Sequence, residues 1–242
     1  MKKKELLLTA SAWIPRSVRR YNFEPNTVNG NTLTDLSGVQ NGVLVGSPDF
    51  VSGMNGNCIQ FQDSKDSYVD VGNVNFMRKT GVFSISFWAR TTKANENALM
   101  IIIGNAIGRA AEGVFVGFDS RVAVSRSRAL VLFLSDATGF GAPAVIDFFI
   151  NGAVPNDHDF HHYAVTLRDN ILSVYIDGAK VDSRTTNRPF VSNFPNMNNL
   201  FLGGSNNNGS LMYKFIGDVD EFRILPVELT QNQINRLYQT GQ

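Results

Sequence analysis

The chain has few of the residues that form covalent cross-links or catalytic centres. It contains one cysteine, Cys58, and three histidines among 242 residues. A single cysteine excludes an internal disulfide and a disulfide-stabilised extracellular fold, so we expect Cys58 to be a small buried apolar residue. No apolar run approaches the ~18 residues of a transmembrane helix, so no membrane insertion is predicted.

The chain also has no large excess of positive or of negative residues. The net charge is +1, which provides no overall field to attract nucleic acid or a membrane surface. The charge is uneven, because residues 1–20 carry a net +5 and the other 222 residues carry −4. This basic arm either docks on an acidic partner surface or is a solvated terminus. Its candidate docking residues are Trp13, Arg16, Arg19 and Arg20.

The first residues, MKKKELLLTASAW, imitate a signal peptide, with lysines followed by leucines and small residues. The apolar part is too short, because Thr9 and Ser11 follow the three leucines, whereas a signal peptide needs ~7–15 apolar residues. We therefore expect no cleaved leader. The protein is then cytoplasmic, or it is displayed on an assembly such as a virus particle that is released by lysis.

Short segments with the two-residue period of β-strands recur along the chain. In VFSISFW (82–88), Phe83, Ile85 and Phe87 alternate with two serines, which predicts a half-buried strand. Four further runs are short, apolar and rich in β-branched or aromatic residues, which predicts buried strands. These runs are LMIII (99–103), VFVGF (114–118), ALVLFL (129–134) and VIDFFI (145–150).

Tight turns connect the strands of the segment FHHYAVTLRDNILSVYIDGAKV (160–181). YAVTL (163–167) and LSVYI (172–176) both alternate, and a turn at 168–170 separates them. Asp177-Gly178 suits a type I′ turn, in which both central residues have positive φ. The segment is thus predicted to form consecutive β-hairpins.

The C-terminus changes to the period of a helix. Ile234, Leu237 and Tyr238 share one helical face, Thr230 and Gln233 form a capping box, and Gly241 lies at the expected end. Many short strands with one terminal helix predict an all-β fold, an antiparallel two-sheet sandwich spanning residues 21–242.

The order of motifs resembles that of the laminin-G-like, concanavalin A-like jelly-roll domains, especially their bacterial and viral branch. This resemblance covers about residues 21–238 and implies a jelly-roll sandwich that often binds glycans and calcium. The matching motifs are DLSG (35–38), GMNGNCIQF (53–61), YVDV (68–71), FSISFW (83–88), FHHYAVT (160–166), VYIDG (174–178), LFLGG (200–204), FIGDVDEFRIL (215–225) and LTQNQINRLY (229–238).

The histidine pair is predicted to be structural. His161 and His162 are neighbours on a strand, so their side chains point to opposite faces and cannot address one metal or substrate. A zinc site needs at least a third ligand, and no His/Cys cluster supplies it. His158 lies in a polar loop between two aspartates.

The carboxylates do not form the pattern of a glycosidase. Retaining enzymes of this architecture carry Glu-x-Asp-x-Glu or Glu-x-Asp-x-x-Glu on one strand, and neither occurs here, so we expect no enzymatic activity. A calcium ion is a possible cofactor, bound by loop oxygens. The alternative is ordinary turn aspartates. The candidate metal ligands are Asp63, Asp66, Asp218 and Asp220, with Asp35 and Asp70 as further donors.

Aromatic and amide side chains are the candidates for glycan binding. Trp88 shares a strand face with Ser84 and Ser86, and Tyr175 shares one with Ser173. Either ring is then exposed on a concave sheet, where a sugar stacks on it, or belongs to a second apolar layer. Asn206 and Asn207 belong to an Asn/Gly-rich rim that offers hydrogen bonds to a ligand.

Three functions follow from these readings. The first is a non-catalytic recognition module that binds a glycan or a cell-surface partner, carried on a virus particle or another surface assembly. The second is a purely structural virion component, a capsid decoration or fibre protein, docked to other subunits through the basic arm. The third, a glycoside hydrolase, lacks its acidic motif.

Overall fold

The computed structural model describes residues 14–94, 96–105, 113–135, 145–190, 199–207 and 210–241. Within these ranges the chain forms nineteen strands and two α-helices. In chain order the strands are β1 (Arg19–Tyr21), β2 (Val28–Asn29), β3 (Thr32–Leu33), β4 (Gly42–Val45), β5 (Asp49–Ser52), β6 (Asn57–Phe61), β7 (Tyr68–Gly72), β8 (Phe83–Arg90), β9 (Leu99–Gly104), β10 (Gly113–Asp119), β11 (Ala129–Ser135), β12 (Ile146–Ile150), β13 (His161–Arg168), β14 (Ile171–Ile176), β15 (Ala179–Thr185), β16 (Leu200–Leu202), β17 (Ser205–Asn207), β18 (Ser210–Met212) and β19 (Gly217–Leu225). The helices are α1 (Phe76–Thr80) and α2 (Gln231–Thr240).

Two antiparallel sheets form the sandwich predicted from the strand pattern. The first, sheet A, has the order β15-β14-β13-β8-β19-β6-β5, and β1 pairs with β19. The second, sheet B, has the order β12-β11-β10-β9-β16-β7-β4-β3-β2. A separate hairpin joins β17 and β18. The strands predicted from periodicity and the C-terminal helix are present, whereas α1, the short early strands and the strand β17, which the sequence presented as a polar turn, were not predicted from periodicity.

The core lies between the two sheets and is rich in aromatic rings. Phe118 of sheet B packs against Tyr163 of sheet A with ring centroids 5.3 Å apart, and Tyr163 stacks on Phe87 at 5.7 Å. Alternate residues of each strand point into this gap because the side-chain period of a strand is two. Packing between buried aromatic rings therefore holds the two sheets together.

The hairpins follow the turn chemistry of the sequence. Asp177 and Gly178 have φ of 50° and 80°, as a type I′ turn requires, and Asp169 and Asn170 adopt the same sign. At the C-terminus, Thr230 and Gln233 form the predicted capping box, and Gly241 ends α2 with φ 65°. Among the described residues, no helix has both the length and the apolar character that a membrane crossing requires.

Helix α2 covers the outer face of sheet A at its central strands, which are therefore buried on both sides. Ile234 and Leu237 of the helix pack against Ala164 and Tyr175 of the sheet. For this reason every residue from Phe83 to Ala89 is buried, although alternation alone predicted a half-buried strand. Burial of the helix face stabilises its position far more than helix propensity does.

The boundary predicted between the basic arm and the domain needs a correction. Arg19 and Arg20 belong to β1 and lie opposite Ile224 and Arg223 of β19, so they are part of sheet A. Arg19 is buried and donates hydrogen bonds to the carbonyls of Val71 and Asn73 at 2.7 and 3.0 Å. The reason is that a guanidinium with several backbone acceptors can be buried, whereas composition alone marked it as a solvated charge. Residues 1–13, including Trp13, lie outside the described residues.

Replacing Arg19 tests its role in the domain. We expect Arg19→Leu to lower the free energy of unfolding by about 3 kcal/mol or more, because two buried carbonyls lose their donor. Chemical denaturation measures this difference. Arg16→Gln is the control, since Arg16 is exposed and its side chain donates to Ser37 O at the surface. Equal stability of both variants would contradict the assignment of Arg19 to the core.

Candidate functional site

A cavity of ≈ 280 Å³ lies on the outer face of sheet B, the face away from the core. Its floor contains Phe115 of β10 and Phe133 of β11, which are opposite each other in the register. Their rings stack with centroids 5.1 Å apart and planes 13° from parallel. The cavity therefore has a flat aromatic floor, which we call the aromatic cavity.

A residue without a side chain lies on the outer face of β10, beside the floor of the cavity. Gly117 lies between Phe115 and Asp119 on the same face of β10, opposite Val131 of β11. A Cβ at Gly117 would come within 2.3 Å of the Met100 carbonyl oxygen, where the β9–β10 register shifts. Glycine thus permits a close approach of two strands and leaves the sheet surface low at this point.

Charged groups form one side of the aromatic cavity. Asp119 is buried and accepts two hydrogen bonds from Arg121, from Nε at 2.9 Å and from Nη2 at 2.8 Å. The hydrogen bonds to Asp119 raise the pKa of Arg121 above its ordinary value, although partial burial opposes this. Arg126 Nε lies 3.7 Å from Asp119 Oδ2, and its guanidinium stacks on the Phe149 ring at 3.2 Å. Both arginines are therefore fixed in orientation.

Two more residues line the cavity at its two sides, one on β12 and one beside β9. Asp147 of β12 is exposed and lies opposite Phe133 in the register. Tyr213 packs against the apolar floor, and its carbonyl accepts a hydrogen bond from Ile101 N at 2.8 Å. A concave apolar surface with a few fixed polar groups is the usual form of a small-ligand site. Here the apolar part is aromatic and the polar part offers both donors and acceptors.

The predicted stacking residues Trp88 and Tyr175 are not exposed. Trp88 is 4% exposed and Tyr175 is 6% exposed, because α2 covers their face of sheet A. The indole of Trp88 stacks on Tyr238 of α2 at 5.6 Å. The exposed-ring prediction is therefore wrong, and the alternative of a second apolar layer is confirmed. Asn206 and Asn207 belong to β17, and their role in ligand binding stays a prediction.

The two neighbouring histidines point to opposite faces, as predicted from strand alternation. His162 is buried, and its Nε2 lies 2.9 Å from Ser86 Oγ. Burial lowers the pKa of His162 to about 4. His161 lies at the sheet end, with Nδ1 2.7 Å from Asp177 Oδ2 and Nε2 3.0 Å from Asp157 Oδ2. Partial burial opposes protonation of His161, but the hydrogen bonds to the two carboxylates raise its pKa above the ordinary value.

The predicted calcium ligands are spread over two regions that already contain cationic or backbone partners. Asp63 and Asp66 are exposed, and Lys214 Nζ lies 3.1 Å from Asp66 Oδ1. Asp218 is buried and pairs with Arg90, whose Nε lies 2.7 Å from Asp218 Oδ2. Asp63, Arg90 and Asp218 line a second cavity of ≈ 490 Å³.

Asp220 is fully buried and has backbone partners. It accepts hydrogen bonds from Asn55 N at 2.9 Å and Glu221 N at 2.7 Å, yet desolvation raises its pKa to about 7. Asp35 accepts hydrogen bonds from the backbone of a tight turn, among them those of Ser37 and Gln40. Across the part of the chain that the structure describes, no three His, Cys, Asp or Glu side chains are grouped to hold a metal. Calcium binding stays a prediction.

The aromatic cavity was not predicted from the sequence. VFVGF and ALVLFL were read as strands buried on both faces, and nothing in either run alone marks the outward Phe115 and Phe133 as a ligand surface. The signal that would have found it is the pairing of the two strands, which places these rings side by side with Gly117 in the next row. Tyr213 comes from a distant part of the chain and has no local signal.

The fold and the motif order agree with a family comparison. Residues 63–235 match the Laminin_G_3 model, described as the concanavalin A-like lectin/glucanases superfamily. The chain is a member of this family. No curated protein matches the sequence.

Solved structures of similar fold have low sequence identity to this family member. Domain 4 of AbnA, a GH43 extracellular arabinanase from Geobacillus stearothermophilus solved with arabinotriose, is 18% identical with a TM-score of 0.65, and the match covers 93% of this chain and 98% of that one. The binding domain of botulinum neurotoxin DC, solved with rat synaptotagmin II, is 19% identical with a TM-score of 0.67. The same domain was solved with SialylT, at 19% identity and a TM-score of 0.68. Both neurotoxin matches cover 94% of this chain and 52% of the other.

The burial of Trp88 predicts a loss of stability on truncation. Trp88→Ala should lower the free energy of unfolding by about 3–5 kcal/mol, because a large ring is removed from the contact between sheet A and α2. Denaturant titration measures the change. A stable Trp88→Ala protein that loses ligand binding would restore the exposed-ring reading.

The buried neutral histidine predicts acid sensitivity. The unfolded chain binds a proton at His162 near pH 6.5, whereas the folded chain does so only near pH 4, so acid favours unfolding in this window. The stability advantage of the wild type over His162→Gln should therefore shrink by about 3 kcal/mol between pH 6.5 and pH 4. Asp220 is present in both proteins, so its own titration cancels in the difference.

His161 provides the control, because its contribution to stability should change with pH in the opposite direction. The raised pKa of His161 means that its contribution is present at acidic pH and is lost as pH rises through the folded-state value. The advantage of the wild type over His161→Gln should grow on acidification. If both variants changed with pH in the same direction, the assignment of the two environments would be wrong.

Proposed function

We propose that the chain is a non-catalytic recognition module that binds a glycan in the aromatic cavity. The observation that carries the proposal is the stacked Phe115–Phe133 floor beside fixed charged groups. The C–H face of a sugar ring is apolar and stacks on aromatic surfaces, while its hydroxyls need donors and acceptors at the edge. Arg121 with Asp119 and Asp147 provide these at the same cavity.

The known complexes of similar folds support binding as the function. The arabinanase domain was solved with arabinotriose, and the neurotoxin domain was solved with SialylT and with rat synaptotagmin II. A glycan is therefore the first candidate ligand, and a surface protein is the second. The aromatic cavity favours the glycan, because ≈ 280 Å³ suits one or two sugar rings rather than a protein surface.

The carboxylates of the cavity support recognition rather than hydrolysis. A glycosidase needs one carboxyl group as a proton donor and a second as nucleophile or base. Both oxygens of Asp119 accept hydrogen bonds from Arg121, so this group is fixed as an acceptor. Display on a virus particle and docking through the basic arm stay predictions, since the arm's first thirteen residues lie outside the described part of the chain.

Glycan binding by a tyrosine variant tests the proposal. The full chain is screened on a glycan array, and its affinity for any bound oligosaccharide is measured by calorimetry. Tyr213→Ala should weaken this binding at least tenfold, which corresponds to about 1.4 kcal/mol, because a ring at the cavity edge is lost. Incubation with the same oligosaccharides should yield no hydrolysis product.

The matched control is Tyr238→Ala, a tyrosine on the outer side of sheet A. It removes an equal ring from the opposite face of the sandwich and should leave the affinity unchanged. Binding that depends on Tyr238 rather than Tyr213 would refute the location of the site. The appearance of product would refute the non-catalytic assignment.

A further inference from the structure

Four arginines surround a different cavity at the junction of the N-terminal segment, sheet A and α2. The cavity has a volume of ≈ 460 Å³, and we call it the arginine cavity. Its basic residues are Arg16 before β1, Arg20 in β1, Arg223 in β19 and Arg236 in α2. They come from three separate segments of the chain, the N-terminal stretch 16–20, β19 and α2, so only the tertiary fold brings these charges together.

Each of these segments is held in place independently. Arg16 donates to Ser37 O at 2.9 Å, and the backbone N–H of Arg20 donates to Asp35 Oδ1 at 2.9 Å. Arg223 donates through Nη2 to Glu221 Oε2 at 2.7 Å and to Gly241 O at 2.8 Å. The capping box and the buried face of α2 fix the position of Arg236. The backbone around the cavity and the guanidinium groups of Arg16 and Arg223 are therefore held in place, which lowers the entropic cost of binding a ligand.

The positive charge at this cavity exceeds the negative charge available to neutralise it. Glu221 is the acidic side chain beside the arginines, 2.7 Å from Arg223 and 4.0 Å from Arg20. Among the residues that the structure describes, one carboxylate therefore faces four guanidinium groups. Asp35 lies behind Arg20, but its oxygens accept hydrogen bonds from turn residues such as Ser37 and Gln40.

One buried donor adds an independent observation. Arg20 Nε is buried and makes no hydrogen bond with the described residues. Burial of an unpaired donor is costly, and for a charged group the cost is larger. Arg223 is 4% exposed, and burial together with the charge of Arg20 lowers its pKa to about 10. The geometry therefore leaves Arg20 Nε without an acceptor among the described residues, next to a second buried guanidinium that shares the same carboxylate.

We propose that the arginine cavity binds the sulfate or phosphate group of a small ligand, separately from the aromatic cavity. Guanidinium groups present parallel N–H donors that match the oxygens of such anions in bidentate fashion. A doubly charged tetrahedral anion supplies the charge and the several acceptors that Arg20 and Arg223 lack. The volume exceeds that of one anion, so the attached part of the ligand also fits.

The test uses the full chain with inorganic sulfate and inorganic phosphate as probes. Binding is followed by calorimetry and by the NMR signal of the Arg20 side-chain Nε–H, against sodium chloride of equal ionic strength. We expect one or both anions to shift this signal with millimolar affinity, about −4 kcal/mol, while chloride does not. The comparison of the two anions identifies which group the site prefers.

Variants locate the binding. The double variant Arg16→Gln/Arg236→Gln should weaken anion binding at least tenfold, and its melting temperature should stay near the wild-type value because both side chains are exposed. Arg184→Gln removes another exposed arginine, from the edge strand β15, and should have no effect. Arg20→Gln provides a second variant that removes the unpaired Nε directly.

Three outcomes would overturn the proposal. These are no response to either anion up to about 10 mM, an equal response to chloride, and anion binding that survives both cavity variants. Tyr213→Ala should leave anion binding unchanged. Failure of glycan binding at the aromatic cavity is therefore distinguishable from failure of this site.

Discussion

The bulge in the last strand determines how the parts of sheet A fit together. The register of β19 against β8 shifts between Asp220 and Arg223, and Glu221 adopts a φ of 46° there. Before the bulge the other edge of β19 pairs with β6, and after it that edge pairs with β1. Strand β19 thus pairs with three strands, β8 on one edge and β6 and β1 in turn on the other, because the bulge changes the pairing of that second edge. A left-handed conformation at a non-glycine residue costs of order 1–3 kcal/mol, so the surroundings must stabilise it.

Buried polar contacts stabilise this conformation. Glu221 accepts hydrogen bonds from Arg223 at 2.7 Å and from Asn55 Nδ2 at 3.0 Å, and Asp220 accepts one from Asn55 N. Asn55 lies in the turn between β5 and β6, so the bulge is tied to the neighbouring hairpin. Asp220 and Glu221 thus contribute contacts that stabilise the bulge, whereas Asp218 of the same strand pairs with Arg90. Their sequence pattern is equally consistent with metal ligands, because both roles require clustered carboxylates on one strand.

The sequence predicted the parts of the fold that depend on local periodicity. Alternation in FSISFW and YAVTL, the Asp177-Gly178 turn and the capping box of α2 each have a local physical cause, and each is present in the structure. The sequence could not predict whether the outer face of a strand is exposed or is covered by an element from a distant part of the chain. Trp88 appeared able to face solvent, but Tyr238, 150 positions later in the chain, covers it. The arginine cavity and the aromatic cavity likewise depend on contacts between segments that are distant in the sequence.

The placement of α2 makes the two outer faces of the sandwich unequal. On sheet A the helix buries the ring of Trp88 and the apolar group around Tyr175, which leaves little apolar surface for a ligand. On sheet B the Phe115–Phe133 pair, Asp119 and Tyr213 surround a cavity instead. The same helix contributes Arg236 to the arginine cavity at its edge. The docking of the ten-residue helix on one face therefore leaves the aromatic cavity on the outer face of sheet B and places the arginine cavity at the rim of sheet A.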